Sequence, residues 1–131
     1  EKARPLFEEA IAIDPNFVYP YVYLGYLHNI QGLRGFSEDR AKSSQTAFDL
    51  AQKALDIDET HDGPHSLLAS IYRKKGEYDK ALRTFQRLLR SEPDNANLNF
   101  LTGLCLINIP GRKKEALPYC LSRHVDSHVT S

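Results

Sequence analysis

HSLLASIYRKKGEYDKALRTFQRLLRSEPD (65–94) decides the fold. In HSLLASIY (65–72), and again in ALRTFQRLLRSEPD (81–94), small or apolar residues recur every three or four positions. That spacing builds one face of a helix. KGEYDKA (75–81) reads as the turn between the two, and Pro93 ends the second helix and sets the angle into the segment that follows. The stretch is therefore a helical hairpin.

The hairpin recurs. ARPLFEEAIAIDPN (3–16) and AFDLAQKALDIDET (47–60) carry the pattern of its second helix. YVYLGYLH (21–28) and NFLTGLCL (99–106) carry that of its first. Ala47 to Ala81, Glu59 to Pro93 and His65 to Asn99 are each 34 residues apart. A fixed period of this length implies hairpins stacked one on the next, each burying a face that it cannot bury alone. Gly25, Ala69 and Gly103 are small where a first helix must approach a second closely, and Ala47, Ala81 and Ala116 are small on the facing helix. Tyr72, Phe85 and Leu88 fill the space between, and Pro15 ends a second helix as Pro93 does. The expected fold class is all-α: an antiparallel helix-hairpin solenoid of about three repeats after a leading half repeat. As one domain it divides into a lone second helix (1–16), a repeat with an insertion (17–61), two further repeats (62–95 and 96–124) and a tail (125–131).

The insertion breaks the period. Gly25 to Ala47 is 22 residues where Ala69 to Ala81 is 12, and the ten extra fall in GLRGFSEDRAKSS (32–44). Gly32, Gly35 and Ser37 interrupt the first helix. Ser37 then reads as a cap, with the second helix starting early, near Glu38. The plain expectation is a tolerated surface protrusion. The functional one is a partner contact through Leu33, Arg34 and Phe36. Ala81 to Ala116 is 35 residues, one more than the period, and Pro110–Gly111 accounts for it as a longer turn. After Tyr119 the pattern stops, and HVDSHVTS (124–131) has no apolar face. Repeat arrays need polar caps at their ends. Neither end here carries an obvious one, so self-association through the terminal repeats is expected.

Composition narrows the function. The chain has 131 residues, with 17 Lys plus Arg against 17 Asp plus Glu. A net charge near zero gives no electrostatic reason to bind nucleic acid or an anionic membrane. No apolar run approaches the roughly 18 residues of a membrane span. The first residue is Glu rather than Met, so the chain reads as a fragment whose parent's targeting is not legible. Cys105 and Cys120 give no disulfide framework and read as packing thiols in a reducing cytoplasm. His61 and His65 are four apart, as are His124 and His128, a spacing that holds zinc on a helix. No third ligand accompanies either pair, and no metal or other cofactor is expected. GLRG lacks the Lys-Ser/Thr of a phosphate loop. Asp56 and Asp58 have no nucleophile or base beside them. No catalytic constellation emerges, so the chain itself is not expected to be an enzyme.

The period, LLASIY, the KGEYDKA turn and Pro93 together resemble the tetratricopeptide repeat. Residues 62–95 match nearly every signature position, apart from His65 where a large aromatic is usual. The expanded first repeat ending in AQKALDID (51–58), with 65–82 and GRKKEALPY (111–119), is also similar to repeat arrays C-terminal to bacterial nucleotide-cyclase signalling proteins. The first resemblance implies that the first helices line a concave face that takes a protein or peptide segment. Its groove positions fall on Tyr19, Val22, Tyr26 and Asn29 in the first repeat. They fall on Ser66, Ser70, Arg73 and Lys74 in the second, and on Asn97, Phe100, Leu104 and Asn108 in the third. Such a face fits a segment with one apolar anchor and an acidic group. The family's Lys/Asn clamp for a terminal carboxylate is not matched, because its positions hold Val22, Tyr26, Asn97 and Leu101. The second resemblance implies an alternative, a regulatory or dimerisation domain of a larger signalling protein.

Overall fold

The computed structural model describes residues 3–31 and 37–121. Leu33, Arg34 and Phe36, as well as His124 and His128, lie outside these. Six α-helices follow in order: α1 (Ala3–Ile13), α2 (Val18–Gln31), α3 (Ser37–Ile57), α4 (Asp62–Lys74), α5 (Tyr78–Ser91) and α6 (Ala96–Ile107). A 3₁₀ turn at Lys113–Ala116 runs into helical residues 117–121. No strand occurs among the described residues, and the fold is an all-α helical repeat. Pro5, Pro20 and Pro64 each stand third in their helix. The first four N–H groups of a helix have no internal partner, so a proline there loses no bond.

The chain divides into two compact units, Glu1–Ile71 and Tyr72–Ser131. In the first, α1 and α3 both pack on α2. One core cluster joins Val18, Tyr21 and Val22 of α2 to Ala54 of α3. Another joins Ala47 and Ala51 of α3 to Leu67 and Ile71 of α4. Gly25 makes the approach possible. A Cβ there would fall on Leu67 Cδ2 and lie 3.6 Å from the Ala47 carbonyl oxygen. The helix begun at Ser37 is 21 residues long, so residues 37–44 of the sequence-predicted insertion form its first two turns.

In the second unit α5 packs on α6, and α6 on the 3₁₀ turn. α5 buries Ala81, Leu82, Phe85, Leu88 and Leu89 at the spacing of a single face, while Arg83, Arg87 and Arg90 are exposed. Burying a leucine or phenylalanine fully contributes about 1.5–3 kcal/mol, so this face holds α5 in place. Gly76, at φ 84°, ends α4: its N–H donates to Arg73 O at 3.1 Å, and Glu77 N–H donates to Tyr72 O at 2.9 Å. Those two bonds satisfy carbonyls that a helix end otherwise leaves open. On α6, Gly103 faces the Ala116 carbonyl, 3.7 Å from where a Cβ would stand. Asn95 caps α6 by accepting from Leu98 N–H at 3.0 Å.

One interaction repeats with the sequence period. Tyr21 OH donates to Pro15 O at 2.8 Å, and Asn99 Nδ2 donates to Pro93 O at 3.0 Å. His65 Nε2 lies 2.8 Å from Glu59 O, and because a carbonyl only accepts, that nitrogen carries the proton. Three different side chains at the same repeat position thus reach the carbonyl six residues upstream, at the turn before their helix. Here His65 ties its helix to the preceding turn, a role beyond packing in place of an aromatic.

Candidate functional site

α2 decides what the first unit shows to a partner. Each helical step turns about 100°, which places Tyr19, Tyr23, Tyr26 and Ile30 within about 60° of one another. Tyr19, Tyr23 and Ile30 are 48%, 49% and 49% exposed. Tyr23 stacks on Phe7 of α1 with centroids 5.3 Å apart and on Tyr19 at 6.3 Å. Tyr19 in turn meets Phe17 and His61 edge-on, at 5.8 and 4.8 Å. The result is an aromatic ladder along the outer side of α2. Aromatic rings hold contact area at little entropic cost, which is why they anchor interfaces.

The predicted residues divide accordingly. Tyr19 lies on this ladder. Val22 is 4% exposed and packs in the core with Val18, Tyr21 and Ala54. Asn29 is also buried, on the same side of α2 as Val22. Tyr26 is half-buried and donates from its hydroxyl to Ser66 Oγ at 3.0 Å. Burial raises its pKa above the ordinary tyrosine value, against the hydrogen bonds to Ser66 and Ser70. Ser66 and the buried Ser70 therefore serve an internal hydroxyl cluster that joins α2 to α4. Tyr23, Ile30 and Phe17 belong to the exposed surface, with the half-buried Phe7 beneath Tyr23, and none of them was singled out from the sequence. The i, i+4 spacing of Tyr19 and Tyr23 was the available signal.

In the second unit the predicted residues share a face of α6. Asn97 and Phe100 are exposed and Leu104 is half-buried. All three lie within about 60° around the helix, and exposed Ile107 extends them. Asn108 is the C-cap of α6, and its side chain folds back to donate to Leu104 O at 2.8 Å. Arg73 and Lys74 are half-buried at the end of α4. The Lys74 pKa is lowered, first by burial and then by the like charge of Arg73.

The other polar groups are structural. His61 Nδ1 accepts from Gly63 N–H at 3.0 Å, and His65 donates to Glu59 O, so each spends a ring nitrogen on the backbone. Asp58 accepts from both Thr60 N–H and Thr60 Oγ1, which holds its carboxyl below the usual range. Arg112 grips Glu115 through two bonds of 2.7 and 2.8 Å. Both cysteines are free. Cys105 is fully buried with its thiol pushed up to about 11 by that burial, and Cys120 is exposed.

A tetratricopeptide repeat family model matches residues 40–102, from the first turn of α3 into α6. Anaphase-promoting complex subunit 3 of Schizosaccharomyces pombe is 28% identical over 103 residues, which are 79% of this chain and 14% of that protein's length. A crystal structure of MamA protein aligns over 92% of this chain and 60% of its own with TM-score 0.65 and 21% identity. A second MamA crystal structure covers 98% of this chain and 88% of its own, with TM-score 0.55 and 19% identity. At these identities the structural likeness carries the fold alone. Together the matches liken residues 40–102 to the tetratricopeptide repeat, a fold that generally mediates protein–protein interaction and is typically non-catalytic.

Proposed function

We propose that this chain of the tetratricopeptide type is a docking module whose first helices receive a segment of another protein. The supporting observation is the aromatic ladder on α2. Tyr19 and Tyr23 each leave about half their surface open, while the opposite side of α2 forms the core. Stacking on Phe7 fixes Tyr23 before any partner arrives, so little rotamer freedom remains to be lost on binding. In the second unit, Phe100 with the half-buried Leu104 forms an apolar face of its own on α6. Peptides selected from a random displayed library on the full chain, labelled and followed by fluorescence anisotropy, test this reading. Tyr19→Ser with Tyr23→Ser removes two anchors and is expected to weaken binding by about 100-fold or more. Retention of affinity within about threefold contradicts it.

A second reading is carried by α1. Leu6 and Ile13 are 65% and 78% exposed, and seven residues apart they share one face of the helix. That face fits dimerisation or regulation within a larger bacterial signalling protein such as a nucleotide cyclase. On this reading Leu6→Glu with Ile13→Glu shifts a concentration-dependent sedimentation profile to monomer. A wild-type chain that is monomeric throughout the micromolar range contradicts it.

A further inference from the structure

Two surfaces carry opposite charge beside exposed apolar side chains. On α1, Leu6, Glu9 and Ile13 follow one another at three- and four-residue spacing and so share a stripe. All three are exposed, as is Glu8 next to them. The second surface lies between residues 107 and 121. Ile107, Ile109, Pro110, Lys113 and Lys114 line an open hollow of about 910 Å³. Leu117 and Leu121 continue from Lys114 at helical spacing, 60% and 48% exposed. Arg112 takes up the Glu115 carboxylate, so the remaining cations here are Lys113 and Lys114. Among the described residues, neither these lysines nor Glu8 and Glu9 make an ion pair. The repeat marks both surfaces as contact positions. Leu50 and Ile57, 44 residues after Leu6 and Ile13, pack on the α2 core cluster. Leu82, 35 residues before Leu117, is buried.

We propose that these surfaces meet between copies of this protein, α1 of one copy against the 107–121 surface of another. This rests on the α1 reading above and names what covers that helix. Charge selects the pairing. Two α1 helices face to face set Glu8 and Glu9 against their own kind, and two 107–121 surfaces do the same with Lys113 and Lys114. An acidic stripe against a basic one attracts instead, which steers encounter and fixes register. Leu6 and Ile13 then bury against Leu117, Leu121 and the apolar floor of the hollow. Each copy carries both surfaces, so the contact is met reciprocally in a closed dimer or in succession from copy to copy. An eleven-residue helix gives a contact at the small end of the interface range, so association in the micromolar range is expected.

Sedimentation velocity of the full chain, over a concentration series at low and high salt, tests this. Three variants accompany the wild type: Glu8→Lys with Glu9→Lys, Lys113→Glu with Lys114→Glu, and all four changes together. All four positions are exposed, so the fold itself is not under strain from them. The wild-type chain is expected to self-associate, and less so as salt rises. Each double variant sets like charges against each other and is expected to weaken association by about tenfold or more. The four changes together exchange the two signs and are expected to restore it. A wild type that is monomeric throughout the micromolar range overturns both the inference and the α1 reading. Loss of association in only one double variant overturns the inference. Where that one is the Glu8/Glu9 variant, the α1 reading stands without this partner surface. Association kept in both double variants, or not restored by the four changes together, overturns the inference as well.

Discussion

Gly25→Ala should destabilise this protein, although alanine is the better helix former. Two opposing effects set the sign. In the middle of α2, replacing glycine with alanine gains about 1 kcal/mol of helix propensity. The new methyl, however, lands on Leu67 Cδ2, whose side chain is fully buried among Ala47, Ala51 and Ile71. Overpacking of that kind costs about 1–3 kcal/mol, so the net loss is about 0–2 kcal/mol. Leu67→Ala by itself opens a cavity and costs about 2–5 kcal/mol. With Leu67 shortened, the nearest remaining group is the Ala47 carbonyl at 3.6 Å, an ordinary contact. In that background Gly25→Ala should therefore stabilise by about 1 kcal/mol. Urea unfolding of the four proteins, followed by far-UV circular dichroism, closes the double-mutant cycle. The expected result is a reversal of sign and a coupling of about 1–3 kcal/mol. Equal effects of Gly25→Ala in both backgrounds would refute the close approach of α2 to Leu67.

Other substitutions test the turns and the thiols. Asn99→Leu keeps the branching of the side chain but removes the Nδ2 donor to the Pro93 and Asn95 carbonyls, and is expected to lower unfolding stability by about 1–3 kcal/mol. Gly76→Ala meets open space but an unfavourable φ of 84°, and should cost about 1 kcal/mol from backbone strain alone. In the native chain Cys120 should react rapidly with a thiol reagent, while Cys105 reacts only at the rate of opening. The Cys105 thiol is raised from 9.0 to about 11 in the fold, so the unfolded chain releases its proton first and the native chain holds it. Stability should therefore fall as pH rises from 9 toward 11, and Cys105→Ala should flatten that part of the urea-midpoint profile.

The repeat was legible because small residues and turn residues recur with the helical period, and backbone geometry allows few alternatives there. Gly25 and Gly103 were legible for the same reason: each faces the carbonyl of an alanine the spacing had paired with it. The carbonyl ties of Tyr21, His65 and Asn99 were not, since three unlike side chains share no residue-type signal. Only their common reach of six residues reveals them. On α6 the predicted face was close to the exposed one. On α2 it was rotated toward the core, because family positions transferred from the repeat do not register which side of this helix packs on Ala54 of α3. Val22 and Asn29 fell on the buried side, and the open stripe runs through Tyr23 and Ile30 instead. Arg73 was legible as a cation, but its buried Nε needs coordinates to be seen.

Amide shift mapping of a library-selected peptide on the full ¹⁵N-labelled chain tests the docking account most directly. The account predicts that the largest perturbations fall on α2 at Tyr19, Tyr23 and Ile30, and on α6 around Phe100 and Leu104. Perturbations confined to the exposed sides of α3 and α5, at Gln45, Asp49, Arg83 and Arg87, with α2 and α6 unmoved, would contradict it.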